Sequence, residues 1–192
     1  MKENILKRAI EISKDILKTV VREGDIVVDC TAGNGYDTVF LAKLIGEKGK
    51  VYTFDIQEKA IKNTERKLSE TDLLDKVVLI HDGHENILSH VKENIKCAMF
   101  NLGYLPGGDH NITTSPKNVI KAIKGCLKLL SPKGIITIVC YTGHTGGKNE
   151  LKELINYLVE LDQRKYMVIN YKILNQINSP PQMIAVEKQY QE

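Results

Sequence analysis

No apolar stretch in these 192 residues reaches the roughly 18 that a membrane-spanning helix needs. The amphipathic opening, MKENILKRAIEISKDILKTVV, carries acidic residues and a helical period instead of the apolar core of a secretory signal. A cytoplasmic protein is therefore expected. The four cysteines, Cys30, Cys97, Cys126 and Cys140, form no CxxC pair, which argues against a zinc site and a disulfide framework; three of them lie in or at the end of apolar runs and read as reduced core residues. Trp is absent, which excludes nothing. A net charge of +3 is too small to argue for nucleic-acid binding by the surface as a whole and leaves that case to local patches. Internal repeats, low-complexity tracts and linkers are missing too. The expectation is one domain over residues 1–192, with an N-terminal helix (1–22) packed on a core that removes about 70% of the unfolded surface from water.

What is present begins with Ile26 to Asp37, IVVDCTAGNGYD. Ile26, Val27 and Val28 read as a buried strand, Thr31 to Gly35 as a loop whose glycines let backbone approach a ligand, and Val39, Phe40 and Leu44 as one face of the helix that follows. Strand, glycine loop, helix is the order of a nucleotide-type site. A dinucleotide fingerprint wants a third small residue where this chain has Thr38. About 20 residues after the turn, Asp55 closes the apolar run from Val51 to Phe54, where a ribose-binding carboxylate is expected.

Helices are expected over 3–21, 36–44, 58–68, 115–130 (Ser115 as cap, Pro116 at the first position) and 148–161. Strands are expected over 50–55, 77–81, 96–101 and 135–141, the last apolar throughout and so central. The alternation then stops. Tyr166 to Leu174 and Met183 to Glu187 are both strand-like and are joined by Asn178, Ser179, Pro180 and Pro181, so they must pair antiparallel. A dehydrogenase would continue with parallel units. The fold class is therefore α/β, a Rossmann-like doubly wound seven-stranded sheet, mostly parallel with a C-terminal antiparallel hairpin; this resembles class I S-adenosylmethionine (SAM)-dependent methyltransferases.

Ligands of such sheets bind beyond the carboxyl ends of the strands, and the unusual polar residues collect there. Asp29, Thr31, Gly33, Asn34, Gly35, Asp37 and Thr38 are candidates for the amino-acid end of the cofactor; for Asp37 the alternative is a first-turn carboxylate favoured by the helix dipole. Asp55 is assigned the ribose hydroxyls, or alternatively a helix cap. Gln57 is assigned ribose or adenine, and Asp82 with His84 the adenine, a polar turn being the alternative there. Asn101-Leu102-Gly103-Tyr104 echoes the Asn-Pro-Pro-Tyr motif of methyltransferases that modify exocyclic amines. In that motif the Asn oxygen and the next carbonyl accept hydrogens from the amine and the aromatic ring packs on the substrate. Asn101, Tyr104 and His110 are the catalytic candidates, His110 paired with Asp109 as base or orienting group. Leu102, Tyr141 and His144 complete the substrate side. His84, His110 and His144 show no HxxxH or HxH spacing, so no metal is expected. Lys117, Lys121, Lys124 and Lys128 recur at i, i+4, i+7 and i+11 with no acidic residue between Ser115 and Lys133, a stripe suited to RNA phosphates if it is not simply a solvated face; Lys7, Arg8, Lys14, Lys18 and Arg22 on the N-terminal helix would assist.

Taken together, the blocks DCTAGNGYDT (29–38), DIQ (55–57), DGH (82–84), NLGYLPGGDH (101–110), YTGHTGG (141–147) and the Pro180-Pro181 hairpin resemble a family of small bacterial methyltransferases first described as rRNA methylases. Members of its MnmM type methylate the aminomethyl group of 5-aminomethyl-2-thiouridine at the tRNA wobble position. Thr142 and Tyr36 stand where the family usually has Pro and His, and neither change removes a group assigned to the chemistry. The resemblance implies a SAM-dependent RNA N-methyltransferase whose partner is the tRNA anticodon stem-loop, with a homodimer carried as an expectation about assembly. The alternatives are an rRNA or small-molecule methyltransferase and, from another class, a non-catalytic nucleotide-binding module or a dehydrogenase fragment.

Overall fold

The computed structural model describes residues 5–103, 115–143 and 146–189. Apolar residues on both sides of each central strand force a layer of helices onto each face of the sheet. On β4 (Ile95–Leu102), Cys97 and Met99 join one core while Ala98 and Phe100 join the other. The first core is completed by α1 (Ala9–Val20), α2 (Tyr36–Leu44) and α3 (Glu58–Ser69) through Leu17, Leu41 and Leu68. The second is completed by α4 (Ile87–His90), α5 (Pro116–Leu129) and α6 (Gly147–Val159) through Ile87, Ile123 and Leu154.

The remaining strands are β1 (Ile26–Asp29), β2 (Lys50–Asp55), β3 (Val77–His81), β5 (Leu130–Cys140), β6 (Tyr166–Tyr171) and β7 (Gln182–Lys188). They form one seven-stranded sheet in the order β3-β2-β1-β4-β5-β7-β6, with every pair from β3 to β5 parallel and the two pairs that involve β7 antiparallel. The doubly wound sheet with an antiparallel C-terminal hairpin is therefore present as the sequence predicts. Among the described residues no helix is long and apolar enough to cross a membrane.

Three expectations need correction. The first helix does not begin at residue 3 but at Ala9. The Glu11 carboxylate accepts the Arg8 backbone N–H at 2.8 Å, which closes the helix start there and leaves Ile5 and Leu6 exposed although they fit the apolar period. This helix packs on β5 and β7, and a buried hydroxyl pair, Ser13 Oγ to Thr137 Oγ1 at 2.9 Å, pins it there. Likewise, the strand expected over 135–141 starts earlier, before Pro132 and Gly134. β5 starts at Leu130 and runs through both, with Lys133 in the left-handed region (φ 54°) and a register irregularity opposite Ile95 to Cys97. At the predicted cap Ser115, Pro116 does take the first helical position, but the Ser115 side chain makes no capping hydrogen bond.

Candidate functional site

In the strand order, β1 has β2 on one side and β4 on the other, so the chain leaves the sheet in opposite directions at the carboxyl ends of β1 and β4. A crevice opens where neighbouring connections diverge in this way. Here it is a cleft of about 900 Å³. Of the predicted site residues, Thr31, Gly33, Asn34, Asp37, Asp55, Gln57, Asp82, His84, Asn101 and Tyr141 all line it. Residues separated by more than 100 positions in the chain are thus brought into one space.

Asp29, Gly35 and Thr38, assigned from the sequence to the amino-acid end of the cofactor, are buried and are not among the residues that line the cleft. Asp29 is fully buried, where its carboxylate accepts the Thr38 hydroxyl at 2.6 Å and the Thr31 N–H at 3.0 Å; Thr38 also shares a hydrogen bond with Thr53 at 3.1 Å. These three side chains hold the loop from below. Gly35 caps α2 in the left-handed region (φ 79°), and a Cβ there would lie 2.9 Å from Thr64 Cα on α3, so its glycine is demanded by helix packing. Asn34 is held from α3 as well, accepting from Asn63 Nδ2 at 3.0 Å.

Burial, reinforced by the nearby Asp37 charge and only partly opposed by the Thr38 and Thr31 hydrogen bonds, pushes the Asp29 carboxyl up to about 7. The folded state then keeps a proton that the unfolded chain has lost, so stability declines as pH rises from the ordinary carboxyl range through about 7 and levels off above it. The decline amounts to a few kcal/mol on the order-of-magnitude scale of about 1.4 kcal/mol per pKa unit. Asp29→Asn, whose amide nitrogen still has the Thr38 oxygen as acceptor, is expected to flatten this slope and to be the more stable protein at pH 8. Urea midpoints at pH 5 and pH 8 check it; equal pH slopes in the two proteins would remove Asp29 as the cause.

On the opposite wall, Asp55 Oδ2 accepts the Gly33 N–H at 3.0 Å and Oδ1 accepts the Gln57 N–H at 2.9 Å. One lone pair remains on each oxygen. His84 is buried, with its Nδ1 2.9 Å from the Cys30 carbonyl and its ring edge-on to Phe100. A carbonyl only accepts, so Nδ1 carries the hydrogen. Burial lowers the ring's basicity despite that hydrogen bond, so the imidazole is neutral and Nε2 is an acceptor. Asp82 lines the cleft, but its oxygens already accept from Gly83 N at 2.7 Å, Asn86 Nδ2 at 3.0 Å and His90 Nε2 at 2.8 Å. Its first task is to organise the turn that leads into α4, and His90 above all holds its carboxyl below the ordinary range.

Asn101, at the end of β4, is tied to the glycine loop by its N–H, which donates to Thr31 Oγ1 at 2.8 Å. Its side-chain nitrogen donates to Asp37 Oδ2, and the other Asp37 oxygen pairs with Lys14 Nζ of α1 at 2.7 Å. Among the described residues Asn101 Oδ1 is buried and has no hydrogen-bond partner. A buried acceptor left open costs about 1–3 kcal/mol, so it marks a place where a donor belongs. The second acceptor expected for an amine, the Leu102 carbonyl, already takes the Tyr141 N–H at 3.0 Å and keeps one lone pair, while the Leu102 side chain is buried away from the cleft beside α5 and α6.

Tyr104, Asp109, His110 and His144 lie outside the described residues. Lys117 and Lys121 are exposed on α5 and flank the cleft without lining it; Lys121 Nζ is 3.5 Å from Asn86 Oδ1. The basic face expected on α1 is largely neutralised, since Lys7 and Lys18 pair with Asp15, Arg8 with Glu11 and Lys14 with Asp37. Sequence reasoning missed part of the lining. Asn178 to Pro181, between β6 and β7, form one rim, fastened where Thr142 Oγ1 donates to the Ser179 carbonyl at 3.3 Å, and Tyr36, Ile56, Glu85 and Asn118 complete the walls. The two adjacent prolines, which stiffen a loop, were the available signal.

The described residues contain no group of three or more His, Cys, Asp or Glu side chains able to hold a metal ion. The family model described as "Putative rRNA methylase" matches residues 51–187, and one described as protein-L-isoaspartate O-methyltransferase matches residues 9–89. The chain is 34% identical to the chloroplastic tRNA (mnm(5)s(2)U34)-methyltransferase of Arabidopsis thaliana, over 91% of this chain and 67% of that protein. Among solved structures, it is similar to a "putative rRNA-methylase" from Clostridium thermocellum, with 46% identity, a TM-score of 0.95 and coverage of 96% of this chain and 100% of that one. It is likewise similar to a "putative methyltransferase" from Streptococcus mutans in complex with SAH, with 42% identity, a TM-score of 0.89 and coverage of 96% and 99%.

Proposed function

Because this chain belongs to the "Putative rRNA methylase" family and is a SAM-dependent methyltransferase, we propose that it acts on RNA as an N-methyltransferase, methylating the aminomethyl group of 5-aminomethyl-2-thiouridine at the tRNA wobble position. The observation that carries the amine assignment is the open Asn101 Oδ1. The curated relative of Arabidopsis, named for that wobble nucleoside, supports the RNA, and tRNA is preferred over the rRNA of the family's description on that ground.

The residues present fit the cofactor. Asp55 would take the ribose hydroxyls on its two remaining lone pairs, His84 Nε2 would accept from the adenine amino group, and Thr31 to Asn34 would meet the amino-acid end. When bound, SAM supplies an electrophilic methyl group. The chain's own work is to present a neutral amine. If that amine resembles lysine, with a pKa of ~10.4, keeping it neutral at pH 7 costs roughly 4–5 kcal/mol. Enclosure in the cleft and the Asn101 oxygen, which accepts an N–H while leaving the nitrogen lone pair free, offset part of this. Tyr141 at the rim is suited to pack on the base; burial, with Asp37 close by, raises its phenol, so it stays neutral. A wobble base is readily splayed out of its loop, which lowers the cost of reaching such a pocket. A cytoplasmic site of action goes with this proposal, although the Arabidopsis relative is chloroplastic by name.

The test is transfer of labelled methyl from SAM to tRNA and to rRNA purified from cells lacking this enzyme. Labelling at a wobble aminomethyl group is the expected result. Labelling of rRNA alone would overturn the tRNA assignment, and a thermal shift with NAD but none with SAM or its demethylated product, SAH, would overturn the enzyme class.

A further inference from the structure

We propose that Lys14 and Asp37 form a clamp that sets which way round the Asn101 carboxamide stands, so that a lysine on the N-terminal helix is a positioning residue for methyl transfer. The inference deepens the proposed function and rests on its reading of Asn101 as the amine acceptor.

A carboxamide fits its site in two orientations of nearly the same shape, with donor and acceptor exchanged. Only one of them serves an incoming amine, because the flipped one would present N–H to N–H. Asp37 decides between them. Its Oδ2 faces the Asn101 amide, and a carboxylate oxygen tolerates the NH₂ there while repelling the carbonyl oxygen, so Oδ1 is kept as the atom without a partner among the described residues. The Asn101 main chain cannot swing to compensate, because its N–H is held by Thr31 Oγ1 at 2.8 Å.

Lys14 completes the device. Its ammonium lies 2.7 Å from Asp37 Oδ1 and 5.1 Å from the centre of the Phe40 ring, so each Asp37 oxygen has one partner and the plane of the carboxylate is fixed. Both side chains are largely shielded, at 28% and 15% exposure, which lifts the pair out of the weak class of surface ion pairs. The neighbouring residue Ser13 is locked to Thr137 inside the core, so Lys14 is delivered by a fixed backbone. Lys14, which does not itself line the cleft, is thereby wired to the acceptor atom.

The experiment compares the full chain with Asp37→Asn, Lys14→Met, Lys14→Arg and Asn101→Ala, using tRNA from cells lacking the enzyme. Single-turnover methyl transfer at saturating SAM is measured together with SAH affinity, tRNA affinity and the 1H–15N resonances of the Asn101 carboxamide. Asp37→Asn is expected to slow transfer by roughly 10- to 100-fold, with both affinities near those of the parent, because only orientation at the reacting nitrogen is lost. Lys14→Met should act in the same direction with a smaller loss, Lys14→Arg should restore most of it, and a protein carrying both Asp37→Asn and Lys14→Met should be no slower than Asp37→Asn alone. The Asn101 carboxamide resonances should move in Asp37→Asn and Lys14→Met. Full transfer rate in Asp37→Asn while Asn101→Ala is slow overturns the clamp and leaves the acceptor reading standing. So does a defect in Asp37→Asn that is wholly weaker SAH binding. Full activity of Asn101→Ala removes the acceptor reading and the clamp with it.

Discussion

Asn101→Ala is expected to slow methyl transfer at saturating SAM by roughly 100- to 1,000-fold, the loss typical when one preorganised polar group at a reacting centre is removed. Asn101 is the one side chain in the cleft with a buried acceptor that has no partner among the described residues, and its main chain already spans from β4 to the glycine loop. Alanine keeps the strand and the Thr31 hydrogen bond, so SAH binding should change little and the defect should sit in kcat rather than in cofactor affinity. Asp37 would lose its amide donor but retain Lys14, which limits the cost to folding. Quenched-flow transfer beside calorimetry with SAH separates the two quantities. An Asn101→Ala protein that transfers at the parental rate would show that the amine is held by something else.

The second large effect belongs to Asp55→Ala, which should weaken SAH binding by about two to three orders of magnitude. Two hydrogen bonds to a charged acceptor contribute about 1.5–3 kcal/mol each, and part of that is recovered by water. At 1.4 kcal/mol per tenfold, a net loss near 3–4 kcal/mol gives the stated range. The same substitution frees the N–H groups of Gly33 and Gln57, so the glycine loop loses one of its supports and the effect exceeds the ribose contacts alone. The measurement is the rise in melting temperature on adding SAH, which should nearly vanish in the variant. A shift equal to that of the parent would move the ribose site away from Asp55.

Local pattern carried the reading a long way because the sheet is built from segments whose apolar spacing already states what they face. Val27 and Val28 in β1, Ile136 and Ile138 in β5, and the short apolar runs at 166–171 and 182–188 are legible as strands without knowledge of their neighbours. Asp55 was legible since its distance from the glycine turn reflects one helical crossover. The misreadings arose where a contact between distant positions decides. Ile5 and Leu6 match the period of α1, yet Glu11 bonding to Arg8 ends the helix before it reaches them. Asp29 precedes the loop in sequence, and its burial beside Thr38 and Thr53 has no signature in the local pattern. The turn from His84 to His90 is too short to show a period, and the pairing of Lys14 with Asp37 has no signature in spacing at all.

The position of β7 in the sheet also has a bearing on the order of events as the chain emerges during synthesis. β7 follows β6 in the chain but lies between β5 and β6 in the sheet. The five parallel strands can therefore assemble while β6 has no edge to join, and β6 docks only once β7 has been made and inserted beside β5. Asn178 to Pro181, which connect these two strands, close the rim of the cleft in the same step. A nascent chain thus acquires its glycine loop, Asp55 and Asn101 before it has a complete pocket, and its ability to retain a ligand arrives last.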